Sequence, residues 1–246
     1  MQQAFLEPRG RIRLDDYVVD IAWAPDSAAL ALIGGEGRIA RASFDGTTLA
    51  AQSVGEHMMG GLAVAWQPRS AKSAGDRFAT SGQDGALVLW SGADGRELKR
   101  LRPGMAATEH LAFAPDGQRL ASSAGRIVTL WSADGDKLHE LPPHAGTVAA
   151  LAWDKPGRDL AAAVNGGLVM HRFDGAQPTR RLFKWDGAAL TVAFSPNGKA
   201  VASGMQDGSV HFWYLATSRD SQMRGYPGRV TQVVWNHQGQ IGRAHV

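Results

Sequence analysis

Three residues of this chain have the types that nucleophilic chemistry needs: His57, Thr80 and Asp84. A His backed by a carboxylate can act as a general base, and a hydroxyl held beside it can act as a nucleophile. The eight histidines suggest a second chemistry, metal ligation. However, His57, His110, His139, His144, His171 and His211 show neither His-x-x-x-His nor His-Glu-x-x-His spacing, so no metal site is expected. The absence of cysteine removes thiol catalysis, disulfides and cysteine-held zinc or iron–sulfur groups. Gly34-Gly35-Glu36-Gly37 is not followed by a helical pattern, so it reads as a hairpin turn and not a phosphate cradle. No cofactor is expected.

The elements that would position these residues repeat along the chain. An aromatic followed two residues later by proline occurs at Trp23-Ala24-Pro25, Trp66-Gln67-Pro68, Phe113-Ala114-Pro115 and Phe194-Ser195-Pro196. Trp153 and Trp235 fit with small changes, so the anchors are spaced by 43, 47, 40, 41 and 41 residues. Lys72-Ser73-Ala74-Gly75 accounts for the long interval and reads as a lengthened rim loop. An alternating apolar run such as Val148-Ala149-Ala150-Leu151-Ala152 leads to each anchor and indicates a strand. A turn such as Pro196-Asn197-Gly198 follows, in which Pro presets φ and Gly accepts a positive φ. A second strand, a tight turn (Asp84-Gly85, Asp207-Gly208 or Gly166-Gly167), a third strand ending on an aromatic and a fourth strand complete the unit. Four antiparallel strands at this period are the signature of a β-propeller blade, whose small sheet must stack on neighbours to bury both faces. The expected fold is all-β: five complete blades starting near residues 15, 56, 104, 143 and 184, and a sixth starting near 225.

At these residues the chain resembles the WD40-repeat propellers over residues 1–240. In that family a His before the blade, a Ser or Thr on the second strand, the Asp of the tight turn and the Trp ending the third strand form one hydrogen-bonded set. The resemblance implies this structural tetrad in blade two, with His57, Thr80, Asp84 and Trp90 in register. It implies part of it in blade five, with Ser203, Asp207 and Trp213, where Trp185 replaces the His. Blade four keeps His144 but has Gly166 in the Asp slot and Arg172 in the Trp slot, and blade three keeps Trp131 alone. A catalytic trio should not recur in fragments at one register, so the structural reading displaces the nucleophilic one and no catalytic residue is expected.

The sixth unit begins at about Tyr226 and reaches Trp235 with little chain left. Residues 1–14 would supply a ring-closing strand, with Arg11-Ile12-Arg13-Leu14 alternating. Ile241-Gly242-Arg243-Ala244-His245-Val246 matches the translation of a common sequencing adapter. The expectation is a non-native tail at 241–246 on a fragment of a seven-bladed ring, short by about 70 residues at the observed period.

The net charge is +3, and the basic residues are scattered, without the stripe that a nucleic-acid footprint needs. No run approaches the ~18 apolar residues of a membrane helix, and the N-terminus has no signal-peptide pattern. The arginine-rich, cysteine-free composition suggests a bacterial cytoplasmic protein. The expected function is a non-catalytic protein–protein interaction scaffold, with protein partners and neither membrane nor nucleic acid. In the family, partners dock where the loops leading into the blades and the tight turns emerge. By register that face carries Met58, Met59, Gln83, Glu109, His110, Trp185, Asp186, Gln206 and Tyr226. Trp185 and Tyr226 fill the slot of the missing His and could equally pack into the loop. The alternative is a propeller enzyme or a small-ligand or metal binder at the mouth of the central channel, with Asp20 and Glu109 as its carboxylates.

Overall fold

The computed structural model describes residues 11–245 except 46, 47, 176, 218 and 240. Among these residues every regular element is a β-strand and every pairing is antiparallel. Blade 1 comprises Val18–Trp23, Ala29–Gly34, Arg38–Phe44 and Leu49–Glu56. Blade 2 comprises Gly61–Trp66, Arg77–Gly82, Leu87–Ser91 and Glu97–Leu101. Blade 3 comprises Thr108–Phe113, Arg119–Ala124, Ile127–Ser132 and Lys137–Glu140. Blade 5 comprises Ala193–Phe194, Ala200–Gly204, Val210–Tyr214 and Asp220–Met223.

In blade 4 the second and third strands form one continuous element, Asp159–Arg172, between Ala150–Trp153 and Thr179–Ala188. It turns back at Gly166-Gly167, where both φ angles are positive (92° and 118°). The Phe173 amide donates to the Arg158 carbonyl at 2.9 Å, which closes the far end of that hairpin. Gln232–Trp235 pairs with Ile241–His245 to start a sixth sheet. Each sheet runs in simple meander order, and the first strands of consecutive blades lie side by side.

Burial follows from stacking. The second strands are covered on both faces and are almost wholly buried, so they read as continuous small apolar runs such as Leu160-Ala161-Ala162-Ala163-Val164. The fourth strands lie at the rim and alternate, as in Glu97–Leu101. Each main core cluster joins two blades. Ala31, Ile33 and Ile39 of blade 1 pack on Val64, Trp66, Phe78 and Trp90 of blade 2. Trp66 and Phe78 lie 5.1 Å apart between centroids, and Phe78 and Trp90 6.1 Å. Burying each such ring stabilises the stack by roughly 2–3 kcal/mol.

The anchors Trp66 and Phe113 are buried in these seams, whereas Trp23 is 60% exposed. It borders the side of blade 1 on which Ile12 and Leu14 pack against Leu32, Ala40 and Ala42. The expected closing strand falls largely outside the described residues, and residues 11–14 carry no strand. The insertion around Lys72 is more than a lengthened loop. It is tied to the blade 3 turn, with Ser70 Oγ donating to the Asp116 carbonyl (2.7 Å) and Gln118 Nε2 to the Lys72 carbonyl (2.5 Å).

Candidate functional site

In blade 2 the loop before the first strand is anchored by four side chains. The Thr80 register opposite Val64 and Val88 places its hydroxyl inside the sheet stack. The glycine at 82 leaves the space His57 needs, since a Cβ there would lie 2.6 Å from the His57 Cβ. His57 Nδ1 is 3.0 Å from Asp84 Oδ1, His57 Nε2 is 2.9 Å from Thr80 Oγ1, and Trp90 Nε1 is 2.8 Å from the same oxygen. The directions follow from chemistry. A carboxylate only accepts, so Nδ1 carries the proton, and Nε2 of the neutral ring accepts from the Thr80 hydroxyl. That hydroxyl in turn accepts from Trp90 Nε1–H, and every donor in the chain is matched.

Burial, the largest influence on His57, lowers its pKa against the opposing pull of Asp84. For Asp84 burial is also the largest single influence and raises the pKa. The hydrogen bonds from the Ala86 amide and His57 together outweigh it, so the carboxyl ends below its ordinary value. Thr80 and His57 are sealed from solvent, so no substrate reaches this hydroxyl. The arrangement does mechanical work: it clamps the loop that carries Met58 and Met59. The Met58 amide donates to Asp84 Oδ2 at 3.3 Å, and both methionine side chains project outward, 73% and 79% exposed.

The other blades depart from this pattern, partly against the sequence expectation. Blade 3 does not keep Trp131 alone. Ser122 occupies the Thr80 position and accepts from Trp131 Nε1–H at 2.9 Å. The signal was present, since Ser122 stands two residues after Leu120 as Thr80 stands two after Phe78.

In blade 4 the Trp slot holds His171, not Arg172. The Phe173–Arg158 bond sets Leu160 opposite His171, as Phe78 lies opposite Trp90. His171 is buried, and its Nε2 lies 3.0 Å from Nε2 of His144, whose Nδ1 donates to the Arg126 carbonyl at 3.1 Å. His144 therefore accepts at Nε2, and His171 donates. With Ala162 in the hydroxyl position, two rings bridge directly what a hydroxyl mediates in blade 2. Burial, assisted by His144 and Arg180, lowers the His171 pKa to about 4. Arg172 instead points outward and makes a two-pronged bond to the buried Asp159 at 2.8 and 2.6 Å.

Blade 5 does not wire Ser203, Asp207 and Trp213 together. Ser203 Oγ donates to the Thr191 carbonyl (2.6 Å), and Asp207 Oδ1 caps its own turn by accepting from Ser209 N and Oγ. The replacement is a stack: the Trp185 ring lies 3.9 Å from His211, which lies 4.4 Å from Trp213. His211 Nε2 donates to Asp220 at 2.9 Å.

Of the expected docking residues, Met58, Met59, Gln83, Asp186 and Gln206 are exposed. Trp185 is half-buried in its stack, and Tyr226 packs against Ala202, Val210, Val230 and Val233. Glu109 and His110 lie in the first strand of blade 3 and are half-buried, so they are not displayed by a loop. Burial lowers the His110 pKa. Of the two carboxylates expected at a channel mouth, Asp20 is engaged in holding two blades together, since its carboxylate accepts the Val64 amide at 2.9 Å and the Ile21 amide at 2.9 Å. Glu109 Oε2 is buried with no hydrogen-bond partner among the described residues. No group of three or more His, Asp or Glu among those residues could hold a metal.

The family model of the WD domain, G-beta repeat, matches residues 177–214. The match runs from the rim strand of blade 4 through the third strand of blade 5, the phase in which a sequence repeat bridges two structural blades. No curated protein sequence matches the chain. With one repeat matched and the described chain folded into successive four-stranded antiparallel sheets, this chain fits a WD40-type β-propeller.

Proposed function

We propose that the protein is a non-catalytic interaction scaffold and that a protein partner docks on the face bearing Met58 and Met59. The observation that carries this reading is the contrast between the buried His57 and the two residues that follow it. A sealed, fully matched polar network holds the loop base, and two methionines stand in solvent on top of it. Met59 adopts φ 69°, a conformation that costs a non-glycine residue on the order of 1 kcal/mol. Such strain at a displayed, adaptable side chain supports a contact role. Gln83 lies beside them, its backbone N–H donating to the Gly60 carbonyl at 2.9 Å. Asp186, Gln206 and part of Trp185 extend the same face in blades 4 and 5. A cytoplasmic bacterial setting belongs to the same proposal and rests on composition.

The test compares the wild type with Met58→Ser/Met59→Ser in a crosslinking pull-down from the native host, read by quantitative mass spectrometry. A partner enriched at least about tenfold on the wild type and lost on the variant supports the reading. Identical partner profiles for two proteins with equal thermal stability would end it.

A further inference from the structure

A second surface feature lies away from that face. A cleft of about 950 Å³ opens between blades 4 and 5, beside the turns that follow the anchors Trp153 and Phe194. We infer that this cleft is a second docking site, one that takes an acidic peptide segment of a protein partner. The inference extends the scaffold reading to a different surface and a stated ligand chemistry.

Charge placement carries it. The walls hold Arg158, Arg172, Lys199 and Arg219 against Asp154, Asp159 and Asp220. The acids are engaged. Asp159 is held by Arg172, Asp220 by His211, and Asp154 Oδ1 accepts the amides of Arg158 (2.7 Å) and Asp159 (2.9 Å). The side chains of Arg158, Lys199 and Arg219 make no ion pair or hydrogen bond among the described residues and are exposed. The repeat gives independent weight. Arg158 and Lys199 both stand five residues after their anchors, where blades 1 and 3 carry Ala28 and Gln118. Only the two blades that flank the cleft put a cation there. Tyr214, 46% exposed, adds an aromatic wall for the aliphatic parts of a peptide.

An extended nucleic-acid strand fits less well, because Tyr214 is the one aromatic ring among the residues that line the cleft, and a strand needs successive rings on which its bases stack.

The probe is a fluorescein-labelled hexaglutamate peptide, followed by anisotropy at about 50 mM and about 300 mM salt. Arg158→Glu/Lys199→Glu should weaken binding about tenfold or more, and Arg158→Gln/Lys199→Gln less but in the same direction. Arg96→Glu, a charge reversal on blade 2 outside the cleft, should change it by less than about twofold. Equal weakening by Arg96→Glu, or no binding to the wild type, overturns the site. Tighter, equally variant-sensitive binding of an oligothymidine overturns the peptide in favour of nucleic acid. Met58→Ser/Met59→Ser should leave hexaglutamate affinity unchanged, so either surface can fail without the other.

Discussion

Replacing Thr80 with valine tests whether the blade 2 network stabilises the fold. The substitution keeps the side chain's shape and removes one oxygen. That oxygen serves two buried partners, Trp90 Nε1 at 2.8 Å and His57 Nε2 at 2.9 Å, and all three residues are essentially inaccessible. No water can replace it without opening the stack, so a donor and an acceptor are both orphaned. Each orphan costs about 1–3 kcal/mol, partly offset by the desolvation of the hydroxyl that is no longer required, for a net loss of about 3 kcal/mol. That is a large share of a domain stability of about 5–15 kcal/mol. The assay is urea unfolding followed by tryptophan fluorescence, with thermal melts in parallel, where Tm should fall by about 6–12 °C. The control is Ser81→Ala on the next residue, whose equally buried hydroxyl has no partner among the described residues; it should change stability by less than about 0.5 kcal/mol. A Thr80→Val cost below about 1 kcal/mol, or no greater than that of Ser81→Ala, would refute the argument.

Gly82→Ala should cost about 1–3 kcal/mol in the same melts, because its Cβ would sit 2.6 Å from the His57 Cβ and 2.7 Å from the Gly60 carbonyl oxygen. Arg172→Met leaves the buried Asp159 carboxylate without its two-pronged partner and should cost about 3 kcal/mol, whereas pairing it with Asp159→Leu should recover most of the loss. The His144–His171 pair should make the protein acid-sensitive. The folded pKa of His171, about 4, lies below the ordinary 6.5, so the unfolded chain binds more protons between those values. Stability should therefore fall as pH drops from about 6.5 towards about 4, and His171→Leu should flatten that part of the profile in urea midpoints taken across it.

The repeat was legible because it is local. Each blade writes its own anchor, its own turn and its own alternation within about 41 residues, and strand patterning needs no knowledge of neighbours. The blade 2 network was equally legible, since all four side chains belong to one repeat at fixed offsets. Blade 4 was misread at a single position. Assigning the third-strand terminus to Arg172 and not His171 is a one-residue slip, and in a strand that slip exchanges the buried face for the exposed one. The shared glycine turn of the continuous Asp159–Arg172 element shortens the hairpin, and the Phe173–Arg158 bond marks the register. Blade 5 was misread for a different reason. Ser203, Asp207 and Trp213 have the right types, but without a His there is no ring to join them, and aromatic stacking of Trp185, His211 and Trp213 takes the space.

Period, strand alternation and turn chemistry are properties of consecutive residues, so the sequence by itself determined the all-β repeat and the blade 2 clamp. The tertiary structure decided whatever joins residues from different blades or depends on strand register. It set Asp20 against the Val64 amide, tied the Lys72 insertion to blade 3, brought His144 and His171 ring to ring, and left Arg158, Lys199 and Arg219 unpaired around one cleft. These outcomes turn on distances between side chains tens of residues apart, and such distances exist only once the blades have stacked.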